Sequence, residues 1–183
     1  MRIFVALELP ADFTAGLAEA IKAMQRKSLG GINWVKPENL HLTLNFIGEM
    51  PEHQLPDFAK DLAELFAAQA PKSLQAKGYE LFPARSPRLL WLKLSGSEIE
   101  LSKLNRKVLK LAWTYGVDAD PKALKLHVTL GRIKAPQHPD FERFAMSYPV
   151  PQENLVLDTI RLYQSILRAE GPTYKVIKEY NLK

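Results

Sequence analysis

One tetrapeptide occurs twice in this chain, as His41-Leu42-Thr43-Leu44 and as His127-Val128-Thr129-Leu130. Each copy lies in a run where polar and apolar residues alternate, and a β-strand sends alternate side chains to opposite faces. His and Thr of each copy therefore emerge together on one face, over an aliphatic layer. With six threonines in 183 residues, two of four histidines acquiring Thr two positions on is roughly a 0.6% event, so the repeat carries information.

The surroundings repeat as well. Arg2 to Leu9 reads as a buried strand, Pro10-Ala11-Asp12 opens an amphipathic helix to about Lys27, and Gly30-Gly31 ends it. A short extended piece, Asn33 to Val35, precedes the first motif strand, Leu40 to Ile47. A helix from about His53 to Ala68 and a strand near Ser73 to Leu81 follow. The pattern then restarts with strand Arg88 to Leu94, Ser95-Gly96-Ser97 as turn and cap, helix Glu98 to about Tyr115, and the second motif strand, Lys122 to Ile133. Two further strands, near Asn154 to Gln164 and Thr173 to Tyr180, finish the chain. Val5 to His41 and Trp91 to His127 both span 36 residues. The repeat predicts a duplication within one domain, with pseudo-repeats at about 1–85 and 86–183 and the motif strands side by side.

Parity assigns Leu40, Leu42, Leu44 and Phe46 to the core, leaving His41, Thr43 and Asn45 on the other face. In the second copy Leu124, Leu126, Val128 and Leu130 face the core, leaving Lys125, His127, Thr129 and Gly131. Arg132 breaks the parity, and Gly131 is the natural place for a bulge that re-aims it.

Composition narrows the chemistry. The chain has no cysteine, which excludes disulfides, thiolate nucleophiles and thiolate metal sites. A formal net charge of +5 biases it toward polyanions without demanding one. The run Ile3 to Leu7, cut by Glu8 and Asp12, is too short for a signal-peptide core or a membrane span, so the cytoplasm is the expected compartment. Two imidazoles and two hydroxyls converging on one groove suit phosphodiester cleavage. One histidine takes a proton from the attacking oxygen and the other protonates the leaving oxygen, while threonine hydroxyls donate to the nonbridging oxygens. Lys125 or Arg132 supplies a nearby cation, and Arg88 is a further candidate for phosphate or RNA contact.

Paired His-x-Thr-x motifs, with x hydrophobic, resemble the two-histidine phosphoesterase superfamily. The full length is similar to RNA 2′,3′-cyclic phosphodiesterases, also called 2′,5′ RNA ligases. The likeness rests on Arg2-Ile3-Phe4-Val5-Ala6-Leu7, Asn39-Leu40-His41-Leu42-Thr43-Leu44 with Phe46 and Gly48, Arg88-Leu89-Leu90-Trp91, and His127-Val128-Thr129-Leu130-Gly131-Arg132. Leu162-Tyr163-Gln164-Ser165 with Gly171 and Tyr174 extends it.

The resemblance implies a bilobed α/β (α+β) fold of pseudo-twofold symmetry. Two mainly antiparallel sheets would face a central cleft, with helices outside and strands exchanged between lobes. It also implies His41 as the acid to the departing 3′ oxygen, His127 as the base to water, and Thr43 and Thr129 as phosphate ligands. RNA ends bearing a 2′,3′-cyclic phosphate, tRNA fragments among them, are the implied substrate, and a 2′-phosphate the product. Reversible 2′,5′ ligation is implied as a secondary activity. No metal, cofactor, membrane or obligate protein partner is implied, and the expected state is a monomer.

Two alternatives stay open at this point: a groove that binds a nucleotide or RNA end without turnover, and a phosphodiesterase for small cyclic nucleotides. Other features have plainer readings. His53 and His138 are expected at the surface. Lys103, Arg106, Lys107 and Lys110 read as the solvated face of a helix whose other side is Leu101, Leu104, Val108 and Leu111. Tyr79, Phe82, Tyr148 and Tyr163 are the aromatics considered for base stacking.

Overall fold

The computed structural model describes residues 1–169 and 171–183. Among them run nine strands: β1 (Arg2–Leu7), β2 (Ile32–Trp34), β3 (Leu42–Glu49), β4 (Lys72–Phe82), β5 (Leu89–Ser95), β6 (His127–Ile133), β7 (Asn154–Leu157), β8 (Thr159–Ile166) and β9 (Thr173–Asn181). Four α-helices accompany them: α1 (Ala11–Lys27), α2 (Leu55–Ala67), α3 (Glu98–Thr114) and α4 (Pro139–Ser147). Sequence periodicity locates α1 and α3 within a residue or so. Both are 17 residues long and bury one stripe, Phe13, Leu17, Ala20, Ile21 and Met24 in α1 and Leu101, Leu104, Val108, Leu109 and Ala112 in α3. Acidic residues sit in the first turn of each, where the helix dipole favours them.

All strand pairs are antiparallel, in the order β7-β4-β5-β6-β3-β1-β8-β9, with β2 added on β6. The path divides at β3 and β6, which pair only at Leu42 and Val128. On one side of this seam lie β3, β1, β8 and β9, and on the other β6, β5, β4 and β7. The connectivity crosses the seam. β4 leaves the first half of the sequence to pair with β5, whereas β8 and β9 return to complete the sheet of β1. Behind both lies one continuous apolar cluster that takes in residues of every helix. Each of its fully buried Leu, Ile or Phe side chains contributes roughly 1.5–3 kcal/mol.

Several expectations need correcting. Residues 122–126 are not strand, and β6 begins at His127 itself. The run 154–164 is two strands broken at Asp158, β7 pairing with β4 in one lobe and β8 with β1 in the other. Helix α4 is not among the expected elements; it is nine residues long and buries Phe141 and Ala145. The residue opposite Thr43 is Ala6 and that opposite Thr129 is Trp91, so Trp91 corresponds to Ala6 rather than to Val5.

The most consequential correction concerns Phe46. In β3, Ala6 pairs with Thr43 and Val5 with Asn45, which leaves Leu44 as an extra residue. Leu44 and Asn45 are then both buried, and Phe46 turns out to solvent at 60% exposure. The same defect recurs in β6. Trp91 pairs with Thr129 and Leu90 with Gly131, so Leu130 is extra and Arg132 rejoins the face of His127 and Thr129. The expected re-aiming of Arg132 is therefore present, and its counterpart 86 positions earlier re-aims Phe46.

Candidate active site

The motif faces of β3 and β6 form the floor of a groove of about 720 Å³. His41, Thr43 and Phe46 line it from one lobe, and His127, Thr129 and Arg132 from the other. Trp34 and Lys36 form part of the wall beyond β6, while Arg168, Pro172 and Tyr174 belong to the connection between β8 and β9 and the start of β9. Among the described lining residues there are three cations, Lys36, Arg132 and Arg168, and no carboxylate. Such a groove attracts an anion.

Both histidines are held in the same way. The Nδ1–H of His41 donates to the carbonyl of Asn39 at 2.6 Å, and that of His127 to the carbonyl of Lys125 at 2.7 Å. A neutral imidazole carries a single N–H, so each ring presents Nε2 as an acceptor. The Thr43 hydroxyl donates to Nε2 of His41 at 2.9 Å. Residue 39 is placed by the tight turn Pro37–Asn39, closed by hydrogen bonds from Asn39 to Lys36 and from Leu40 to Pro37.

Aromatic rings fix both imidazoles. Phe4 lies 5.1 Å from His41 and Tyr174 meets it edge-on at 5.5 Å. Trp91 lies 4.3 Å from His127, itself stacked on Phe82 and donating from its indole to Glu80. This packing removes water, which disfavours the imidazolium form. Burial lowers the His41 pKa to about 4, opposed in part by the Asn39 carbonyl and assisted by repulsion from His127. Burial lowers that of His127 too, with the Lys125 carbonyl raising it and the Lys125 ammonium lowering it.

Of the residues singled out from sequence, His41, Thr43, His127, Thr129 and Arg132 meet in this groove. Lys125 and Arg88 do not line it. The Lys125 ammonium sits 4.4 Å over the Phe82 ring, and Arg88 is an exposed residue whose main chain bonds Phe82 and Ile133. None of the four aromatics considered for stacking lines the groove either. Tyr79 is buried, Phe82 stacks on Trp91, Tyr148 packs on Tyr79 and Phe144, and Tyr163 stacks on Phe4. Trp34, Phe46 and Tyr174 occupy that position instead.

Gly131 is what admits Trp34. A Cβ there would lie 2.7 Å from Ile32 Cγ2 and 3.4 Å from the Trp34 ring, so β2 packs this closely on β6 only because the side chain is missing. His53 and His138 are exposed, and His138 caps α4 by accepting from the Asp140 amide. Among the described residues no cluster of three His, Cys, Asp or Glu side chains could hold a metal ion, and no helix is long and apolar enough to cross a membrane.

A bilobed antiparallel sheet with paired His-x-Thr strands at its seam defines a two-histidine phosphoesterase, and this chain belongs to the LigT-like phosphoesterase family, whose model matches residues 7–91. Its full-length relatives are RNA 2′,3′-cyclic phosphodiesterases. That of Thermotoga maritima is 30% identical over 181 residues, covering 98% of this chain and 94% of the relative. That of Archaeoglobus fulgidus is 32% identical over 184 residues, covering 98% and 99%. The crystal structure of TT0787 from Thermus thermophilus superposes with a TM-score of 0.79 at 30% identity, covering 100% of this chain and 98% of that one.

Proposed function

We propose that the protein hydrolyses the 2′,3′-cyclic phosphate at an RNA 3′ end to a 2′-phosphate, through its own side chains and without a metal. The observation that carries this reading is the pair of imidazoles, each locked at Nδ1 by a main-chain carbonyl and each offering Nε2 to one groove with threonine and arginine beside them. His127 takes a proton from water as the water oxygen bonds to phosphorus. The P–O3′ bond breaks, and His41 delivers a proton to O3′, leaving a 3′-hydroxyl. Thr43, Thr129 and Arg132 stabilise charge on the nonbridging oxygens. With a 5′-hydroxyl in place of water, the same steps in the same direction join RNA ends, the secondary 2′,5′ ligation, and their reversal cleaves that linkage. The protein acts as one bilobed unit, a cytoplasmic monomer, with tRNA fragments within its substrate class.

The test is hydrolysis of a short RNA bearing a 2′,3′-cyclic phosphate, in excess chelator, with the product phosphate located. Wild type forms the 2′-phosphate, and His41→Ala and His127→Ala each lose about 10²- to 10⁴-fold in rate. A folded wild type that binds the end without turnover overturns the catalytic reading, and turnover confined to free cyclic nucleotides overturns the RNA one.

A further inference from the structure

Asn39 makes two contacts that meet at one residue. Its main-chain carbonyl accepts the Nδ1–H of His41, and its side-chain amide donates to the carbonyl of Pro172 at 3.0 Å, across 133 residues of sequence. Pro172 immediately precedes β9, and two residues on Tyr174 places its ring edge against His41. His41 is thus gripped from below by the carbonyl of Asn39 and covered from above by a segment that the amide of Asn39 holds down.

The second motif lacks this arrangement. Lys125 stands in the position equivalent to Asn39, and its carbonyl holds His127 in the same way. Its side chain turns to the Phe82 ring instead, within the same lobe. Only one histidine of the pair is tied to a distant part of the chain.

We infer that Asn39 is a positioning residue: its amide fastens the start of β9 over the groove, so that Tyr174 shields His41 and the imidazole keeps the orientation that acid catalysis needs. A neutral amide is suited to this, since it donates to a carbonyl without adding charge beside an imidazole that must change its own. The groups facing His41 are His127 from β6, Tyr163 from β8 and Tyr174 from β9, with Phe4 of β1 uncharged and Arg2 and Arg132 acting on Tyr174. A change at residue 39 leaves every one of these side chains present, and Tyr174 is the one whose position it shifts. The catalytic part of this inference rests on the hydrolytic reading above, whereas the shielding part does not.

The experiment uses Asn39→Ala and Asn39→Leu, the second filling the space without a donor, and neither removing the residue 39 carbonyl. Imidazole titrations followed by NMR on the full-length protein read His41 and His127 separately. Release of the β9 segment admits water to His41, so its titration moves from about 4 toward the ordinary 6.5 while that of His127 stays in place. In the same variants kcat on the cyclic-phosphate RNA falls on the order of 10-fold, more than KM changes, with little loss of thermal stability. A His41 titration unmoved in a folded variant overturns the inference, even if kcat falls. If wild type lacks hydrolytic activity, the hydrolytic reading fails while the titrations still decide the role of Asn39.

Discussion

His41 and His127 have the same neighbours in sequence and unlike surroundings in space. Both are neutral in the free protein near pH 7, because burial lowers both and lowers His41 the further, to about 4. Neutrality suits a base at once, whereas an acid must first acquire a proton. Activity on free substrate requires His127 without its proton and His41 with one. These conditions oppose each other between about 4 and the His127 value, which lies below the ordinary 6.5. The pH profile of kcat/KM is therefore level in that interval and falls on its alkaline side from below pH 6.5. A bound phosphate anion favours imidazolium, so the fall in kcat begins at higher pH than the fall in kcat/KM. Parallel profiles on the cyclic-phosphate RNA check this, and a kcat/KM that stays level past pH 7 would contradict the protonation states assigned here.

At the level of single elements, each motif strand carries a surplus residue directly after its threonine, Leu44 in β3 and Leu130 in β6, and that residue decides what the groove contains; β3 has a second at Ile47. Strict alternation would bury Phe46 and Arg132 and leave Asn45 and Gly131 outside. Instead Asn45 is buried, donating to the carbonyl of Asn105 in α3, while Asn105 donates to the carbonyl of Leu44. The surplus residue is thereby pinned to the helix behind it. Sequence made the second bulge legible, because a basic residue on the wrong parity next to glycine is a visible conflict. The first left no such mark, since Phe46 is as plausible in a core as in a groove. Trp34 was equally hidden, its place depending on β2 crossing to β6, a pairing that period-two reasoning within one strand does not address. Gly131→Ala should separate β2 from β6 through the Ile32 contact, costing about 1–3 kcal/mol. Chemical denaturation measures this loss, and weaker RNA binding should accompany it as Trp34 moves away.

Over the whole molecule, the two lobes are not the two halves of the sequence. Strand, helix and motif strand were legible in each half because hydrophobic period and capping residues are local properties. That strands are exchanged between lobes followed from the family resemblance and not from local pattern, and the identity of the exchanged strands, β2, β4, β8 and β9, depends on which apolar edge a strand meets after the chain has turned back. Residues 1–85 expressed alone leave β4 without β5 and β1 without β8, and residues 86–183 leave β8 without β1. Neither fragment should fold by itself, and the two together should recover the far-ultraviolet circular dichroism of the intact chain. A first fragment that unfolds cooperatively alone would sink this expectation. The exchange also bears on Phe46 and Arg132, which stand 86 residues apart at matching points of the two motif strands and face one groove. Two identical copies would build a socket that a strand of nucleic acid enters equally well from either end. With a ring at one of these points and a guanidinium at the other, the socket is keyed, and a molecule assembled from a repeat can tell forward from backward.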